Sequence, residues 1–84
     1  KGQCRGQMEA VRLEAGEEAR YPAAEDCTLL FYPDEGTVHV PDGGDSIRLT
    51  AGQCVLAHLR AGETLSVHAL HPVRGIVCRM ICAE

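Results

Sequence analysis

The sequence has no tryptophan, one phenylalanine and only two tyrosines among its 84 residues. Its hydrophobic core must therefore be built mainly from aliphatic side chains. No apolar run approaches the roughly 20 residues that a transmembrane helix requires. A basic segment followed by an apolar stretch, which marks a secretory signal peptide, is not found either, so we expect no signal peptide within these residues.

Positive charge is also scarce, because 8 Lys and Arg residues stand against 12 Asp and Glu residues, for a net charge of −4. Nucleic acids and anionic membranes are bound chiefly through Lys and Arg, so neither is expected as a partner. A composition of 45% hydrophobic and 24% charged residues is typical of a globular protein, and the length fits one small domain. The partner that we expect is a small molecule.

The sequence contains no C-x-x-C pair, and its five cysteines are an odd number at wide spacing. Small secreted domains that rely on disulfides usually have a dense, even set. We therefore expect Cys27, Cys54, Cys78 and Cys82 to be small apolar core residues in a reducing environment, which predicts a cytoplasmic protein. Cys4 is expected to be exposed.

The N-terminal part of the chain has the weakest pattern. Residues 1–7 show no periodicity and are expected to form a loose leader, either disordered or appended, ahead of one domain at residues 8–84. A helix over residues 7–20 is an alternative, since Met, Glu, Ala and Arg favour helices. Because Gly16 and Pro22 interrupt it, we favour a strand, a turn and a second strand.

From residue 27 onward, turn signals recur about every 8–12 residues, which is typical of an all-β sandwich or barrel. The predicted strands cover residues 27–32, 37–40, 46–49, 53–59, 64–70 and 75–82. Three of the turns repeat Ala-Gly followed by Glu or Gln, at residues 15–17, 51–53 and 61–63. Glycine there supplies the positive φ that a tight turn needs.

The order and spacing of these segments resemble the cupins. The stretches that carry the resemblance are LEAGE at 13–17, LLFYxxxGTVxV at 29–40, IRLTAGQ at 47–53 and RAGE at 60–63. Together they cover about residues 9–82, and the closing stretch at 70–80 is similar to the HutD/Ves branch. The resemblance implies an all-β, single-domain fold, the double-stranded β-helix or jelly-roll barrel of small RmlC-like cupins.

Many cupins bind a divalent metal through a His-x-His pair, a Glu and a further His. When the flanking glycines of the first motif are placed on Gly16 and Gly36, the spacing fits without a gap. The first three ligand positions then fall on Pro22, Ala24 and Leu29. The fourth, counted from Gly62 in the second motif, falls on Leu65, although the chain from Gly52 is two residues longer than the family spacing. None of these side chains binds metals. The resemblance therefore implies a metal-free cupin, for which we expect no cofactor.

Histidines offer the main alternative to an apolar interior. If Leu65 faces inward, strand alternation places His68 on the outside. His58 shares a strand face with Cys54 and Leu56, which predicts that it lines the barrel. A pair of His39 and His58 at the barrel mouth is the best functional hypothesis for the histidines.

The predicted ligand site consists of side chains expected to face the barrel interior. They are Cys27, Leu29, Phe31, His39, Cys54, Leu56, His58, Leu65 and Val67. Such an aliphatic, cysteine-rich lining favours a small, largely apolar ligand held mostly by burial. The sequence thus predicts binding or sensing of such a molecule, and no residue is assigned a catalytic role.

Two alternatives remain open at this point. The first is a metal-independent isomerase or epimerase that uses His39 or His58 with Tyr32 as an acid/base pair. The second is a structural module with a fully packed barrel whose role is dimerisation.

A homodimer is expected, since small cupins are often dimers. Tyr21 could supply a phenol to a small pocket, and an arginine at the rim, such as Arg79, could hold a carboxylate.

Overall fold

The computed structural model describes residues 3–83, which form eight β-strands joined by turns. The strands are β1 (Gln3–Leu13), β2 (Glu18–Pro22), β3 (Cys27–Glu35), β4 (Thr37–Asp42), β5 (Asp45–Thr50), β6 (Val55–Leu59), β7 (Thr64–Ala69) and β8 (Val73–Ala83). They pair as two four-stranded antiparallel sheets: sheet A, in the order β1-β8-β3-β6, and sheet B, in the order β2-β7-β4-β5.

The two sheets share one aliphatic core. Leu29 and Phe31 of sheet A are fully buried, as are Val38 and Val67 of sheet B, and all four belong to the same packed cluster. The predicted all-β barrel is therefore confirmed, and the helix considered for residues 7–20 is replaced by β1, a turn at Gly16 and β2. No helix among residues 3–83 is long and apolar enough to cross a membrane.

Strand β3 extends further than predicted. Pro33 was expected to end it near residue 32, yet the strand continues to Glu35. Pro33 is almost fully buried and lies at a shift in the register between β3 and β8. A strand accepts proline at such an irregularity, where its missing N–H costs no ladder hydrogen bond.

The prediction of a loose leader over residues 1–7 is wrong for the part that the structure describes. Gln3–Gln7 form the first half of β1 and pair with residues 79–83 of β8. The side chains from Cys4 to Gln7 are exposed, so the sequence of this segment shows no alternation of hydrophobic and polar residues. Lys1 and Gly2 lie outside the described residues.

The cysteine predictions need correction as well. Cys4 and Cys82 lie opposite each other in the β1–β8 ladder, with Cα atoms 4.0 Å apart, and form a disulfide. Cys54 is exposed, so only Cys27 is a buried core cysteine, while Cys78 is half-buried. A disulfide is typical of oxidising compartments, so the argument that led to a cytoplasmic location no longer holds.

Gly75, in the central strand β8, lies very near the backbone of β3. A Cβ atom placed on it would overlap the carbonyl oxygen of Tyr32 and the Cα of Pro33 on β3. Both atoms belong to the backbone of a paired strand and cannot rotate away. The position therefore requires glycine.

We expect Gly75→Ala to lower the free energy of unfolding by about 2 kcal/mol, since the added methyl group must separate two paired strands. Gly6→Ala is the matched control on β1, where the nearest atom to an added Cβ is 4.0 Å away. Urea unfolding of both variants measures the difference. Equal midpoints for the two variants would contradict the close approach.

The disulfide closes a loop with a sequence separation of 78 residues. Replacing both cysteines (Cys4→Ser with Cys82→Ser) is expected to lower the free energy of unfolding by about 3–4 kcal/mol, because the unfolded chain gains conformational freedom. Cys54→Ser, at an exposed free thiol, is the control. Identical denaturant midpoints for the double variant and the control would show that the bridge contributes nothing.

Candidate functional site

A cavity of about 240 Å³ lies between the two sheets, where β2 approaches sheet A. Its walls are formed by Gln7, Glu9, Tyr21, Leu29, Val77 and Arg79. Four of the six carry polar or charged groups, and they come from three different strands. The cavity therefore combines converging hydrogen-bonding groups with a small apolar surface, as ligand sites commonly do.

The register of sheet A explains why these side chains meet. Arg79 on β8 is directly opposite Gln7 on β1 and Leu29 on β3, so the three form one row across the sheet. The next row places Glu9 beside Val77. Because side chains alternate between the two faces of a strand, both rows point toward sheet B.

Arg79 is held in place by the backbone of the other sheet. Its Nη1 donates a hydrogen bond to the carbonyl oxygen of Pro22 at 3.0 Å. Arg79 takes part in none of the ion pairs formed within residues 3–83. A guanidinium group has five N–H donors, so most of its hydrogen-bonding capacity remains available to a ligand.

Tyr21 is the second anchored group of the cavity. Its ring packs against Phe31 of the core, with 6.4 Å between the ring centroids. Burial raises the pKa of the Tyr21 phenol above its ordinary value of 10.0, and the negative charge of Glu9 raises it further. The phenol is consequently protonated at neutral pH and offers a ligand both a donor and an acceptor.

No protein-family model and no curated relative matches the sequence. The structure is similar to the Cupin_2 domain of an XRE family transcriptional regulator from Enterobacter cloacae, with a TM-score of 0.72, 11% identity and coverage of 93% of this chain and 94% of that one. A cupin-2 domain protein from Shewanella frigidimarina gives a TM-score of 0.66 at 20% identity, covering 87% and 68% of the two chains. A de novo designed double-stranded β-helix gives a TM-score of 0.64 at 18% identity, covering 92% of this chain and 99% of the designed one.

The chain has the cupin fold. Its two sheets correspond to the double-stranded β-helix that the sequence resemblance implied. Since the identities lie between 11% and 20%, the similarity concerns the fold alone. What the cupin barrel holds must be argued from its own side chains.

The positions that would hold a metal in this cupin barrel do not have suitable ligands. Leu29 and Leu65 are buried in the core, as the motif comparison predicted. Pro22 and Ala24 are exposed, whereas Tyr21 and Ala23 face the barrel interior. The inward positions of this segment are therefore shifted by one residue from those that the motif comparison predicted. Within residues 3–83, no group of three or more His, Cys, Asp or Glu side chains is placed to hold a metal ion. The donors of this described part of the chain thus do not fit a metal.

Five of the predicted ligand-site residues do face inward. Cys27, Leu29, Phe31, Leu65 and Val67 are all buried in the core cluster. Only one of them, Leu29, also lines the polar cavity. The others fill the centre of the cupin barrel, so the predicted apolar lining is largely packed core.

The inward placement of Cys54, Leu56 and His58 is wrong. Cys54 is exposed, the Leu56 side chain is 51% exposed, and His58 lies on the outer face beside Thr28, with Nδ1 and Oγ1 3.0 Å apart. The inner face of β6 consists instead of Val55, Ala57 and Leu59, which pack against the core. Because strand alternation has a period of two, an error of one residue exchanges the two faces.

The predicted pair of His39 and His58 does not form either. Val38 and Val40 are buried, so His39 faces outward on sheet B, directly opposite His68. His58 faces outward on sheet A, the other side of the molecule. His68 lies outside as predicted, with Nε2 3.2 Å from a carboxylate oxygen of Glu18.

Tyr32 is also on the outer side of its strand, because its neighbours Phe31 and Pro33 face the core. The acid/base set of His39 or His58 with Tyr32 therefore does not converge on one point. The isomerase alternative loses the residues on which it was based.

Gln7 and Glu9 were not among the predicted site residues, and Tyr21 and Arg79 were predicted as separate features. Gln7 lies in the segment that was expected to be a loose leader. The usable signal was Arg79, the one charged residue in the closing stretch of residues 75–82. Only the strand register shows which other groups surround it.

A second cavity, of about 360 Å³, lies between β6 and sheet B. Its walls combine aliphatic side chains with the polar residues Asp42, Glu63 and Thr64; the aliphatic ones include Val40, Ile47, Val55, Ala57 and Leu59. Three predicted site residues, Leu56, His58 and Leu65, also border it.

The raised pKa of Tyr21 can be tested by ultraviolet titration of the phenol in a Tyr32→Phe background. We expect ionisation above pH 10, and Glu9→Gln should move it down because one of the two causes is removed. Since the folded pKa is raised, the stability tied to the protonated phenol is complete below pH 10 and is lost as pH rises through the folded pKa.

Glu18→Gln, at an exposed carboxylate on the outer face of sheet B, is the control and should leave the titration unchanged. A Tyr21 phenol that titrates at its ordinary pKa in every variant would contradict the described surroundings of the cavity.

Proposed function

We propose that this cupin domain binds a small hydroxy or amino carboxylic acid in the cavity lined by Glu9, Tyr21 and Arg79. The observation that supports the proposal is the anchored, half-buried guanidinium of Arg79 beside a protonated phenol. A carboxylate is the natural partner of such a group, because it accepts two parallel N–H donors from arginine.

The other walls define the rest of the ligand. The Glu9 carboxylate would repel a second acidic group and would accept a hydrogen bond from a hydroxyl or amine. Leu29 and Val77 provide room for a short aliphatic part. At about 240 Å³ the cavity suits a compact metabolite rather than a larger molecule.

This proposal changes the ligand chemistry expected from the sequence. The predicted apolar ligand assumed that Leu65 and Val67 line an open interior, whereas both are buried core residues. The groups that remain accessible to a small molecule in the first cavity are mainly polar. We still propose that the domain binds or senses a small molecule, but we now propose a polar acid in place of an apolar ligand.

Two arguments favour binding over catalysis. A general base works best with a pKa near the working pH, and the pKa of Tyr21 is shifted away from neutrality. The structurally similar domain from Enterobacter cloacae belongs to a transcriptional regulator, where ligand binding without turnover would serve sensing. The isomerase alternative therefore has less support.

The proposal predicts that short hydroxy acids or amino acids bind, as measured by isothermal titration calorimetry on the full chain. Arg79→Gln should weaken binding roughly 10- to 100-fold, the range expected for loss of a charged hydrogen-bonding partner. Arg79→Lys should give an intermediate loss, because lysine keeps the charge but not the planar pair of donors.

Arg74→Gln is the matched control, because Arg74 is an exposed β8 arginine that faces Glu35 instead of the cavity. The amides of the same acids, which lack the carboxylate charge, should bind weakly. If acids fail to bind, or if Arg79→Gln binds them as well as the parent, the proposal is wrong. Binding of apolar compounds that is independent of Arg79 would also contradict the proposal.

A further inference from the structure

The barrel is open between strands β5 and β6. Each of them is an edge strand, β6 of sheet A and β5 of sheet B, because each pairs with one neighbour only. Ile47 on β5 lies opposite Val40 in the ladder with β4, so both side chains face the interior. Val40 is buried, whereas Ile47 is 37% exposed. The second cavity, of about 360 Å³, occupies this opening.

Two carboxylates line the second cavity. Asp42 ends β4 two positions after Val40, so strand alternation turns its side chain to the same inner side, and Glu63 directly precedes β7. Within residues 3–83, neither carboxylate takes part in an ion pair, and no Lys or Arg side chain lines the cavity. The remaining titratable side chain of this described wall, His58, contacts Thr28 on the outer face of sheet A. The opening therefore carries a negative charge that no arginine or lysine of its described wall balances.

The Glu63 carboxylate is held in place by its own turn. Its Oε1 accepts a hydrogen bond from the backbone N–H of Arg60 at 2.7 Å. The backbone of Glu63 is anchored as well, since its N–H donates to the carbonyl oxygen of Arg60 at 2.9 Å and its carbonyl oxygen accepts from the N–H of Ala23 at 2.8 Å. The acceptor capacity of the second carboxylate oxygen, Oε2, is left for a ligand.

The turn that holds Glu63 does not require a charge. In the related turn at residues 51–53, the Oε1 of Gln53 accepts the equivalent hydrogen bond, from the backbone N–H of Thr50 at 2.9 Å. A neutral amide oxygen is therefore sufficient for this kind of turn. The turn accounts for the acceptor of Glu63 and not for its negative charge.

We propose that the opening between β5 and β6 binds a small primary alkylamine. The ammonium group of such a ligand carries a positive charge and three N–H donors, which match the carboxylates of Asp42 and Glu63. Its alkyl chain would cover Ile47 and pack against Val55 and Leu59, removing apolar surface from water. The ligand combines the two properties of the wall, negative charge and aliphatic surface.

Other classes of ligand fit the opening less well. A carboxylic acid would be repelled by Asp42 and Glu63. A divalent cation needs more donors than these two, and within residues 3–83 no group of three metal-binding side chains is present. A neutral apolar compound would cover the aliphatic wall but would displace water from the carboxylates without replacing its hydrogen bonds.

This inference goes beyond the proposed carboxylate site and is independent of it. The cavity that contains Arg79 and the opening between β5 and β6 have no lining residue in common. The two sites also select ligands of opposite charge. Absence of amine binding would leave the carboxylate site standing, and absence of acid binding would leave the amine site standing.

A nuclear magnetic resonance titration of the full, ¹⁵N-labelled chain with n-hexylamine tests the site. At pH 8 the amine is protonated, since primary amines of this kind have a pKa of about 10.4. We expect the amide signals of Ile47 and of β6 to shift. Glu63→Gln and Asp42→Asn should each raise the dissociation constant about fivefold, the size expected for loss of an exposed charge pair.

The matched control is Glu17→Gln. Glu17 occupies the equivalent place in the turn at residues 15–17, where its Oε1 accepts a hydrogen bond from the backbone N–H of Glu14 at 2.6 Å, and it lies outside the cavity wall. This variant removes the same charge from a turn of the same kind and should bind n-hexylamine like the parent protein.

Two further probes separate the contributions of charge and chain. The alcohol 1-hexanol, which has the same alkyl chain but no charge, should bind more weakly than n-hexylamine. The shorter n-butylamine should bind up to about 15-fold more weakly if both missing methylenes are buried.

Three outcomes would each overturn the inference. They are the absence of any shift with n-hexylamine, equal affinity for 1-hexanol, and an equal loss of affinity in Glu17→Gln and Glu63→Gln. The dispersion of the amide signals in each variant establishes that the chain remains folded.

Discussion

Much of this molecule depends on the double pairing of β8 at the centre of sheet A. The strand is bonded to β1 on one side and to β3 on the other, so its register determines which residues of three strands share a face. Val77 and Arg79 point into the barrel, while Cys78 and Met80 point out. Gly75 allows β3 to approach closely, and Cys82 ties the far end of the strand to β1.

The contents of the barrel explain where its cavity lies. Leu29, Leu65 and Phe31 fill the centre, where a metal would otherwise need space and donors. The remaining opening is near the end of the core, between β1 and β2, where the inward side chains become polar. An arginine in that position loses part of its hydration, a cost that the Pro22 carbonyl only partly offsets. The carboxylate of a bound ligand would compensate for the hydration that the Pro22 carbonyl does not replace.

The fold was predictable because its signals are local. Alternating strands and glycine turns are visible along the chain, and their order resembles a cupin. The site was less predictable because it depends on which face of each strand points inward and on which distant strands pair with each other. In β6, Val55, Leu56 and Ala57 are all apolar, so alternation does not reveal which side faces the core. Likewise, Cys4 and Cys82 are 78 residues apart, and only the pairing of the first and last strands brings them together.

The closing strand shows the same ambiguity. A strand with one face in water alternates between apolar and polar residues, whereas a strand covered on both faces reads as a continuous apolar run. Residues 75–82, GIVCRMIC, form such a run on an antiparallel sheet whose outer side is exposed in a single chain. Composition alone therefore does not show which face of this strand is the inner one, whereas its one charged residue, Arg79, is explained by the polar cavity on the inner side.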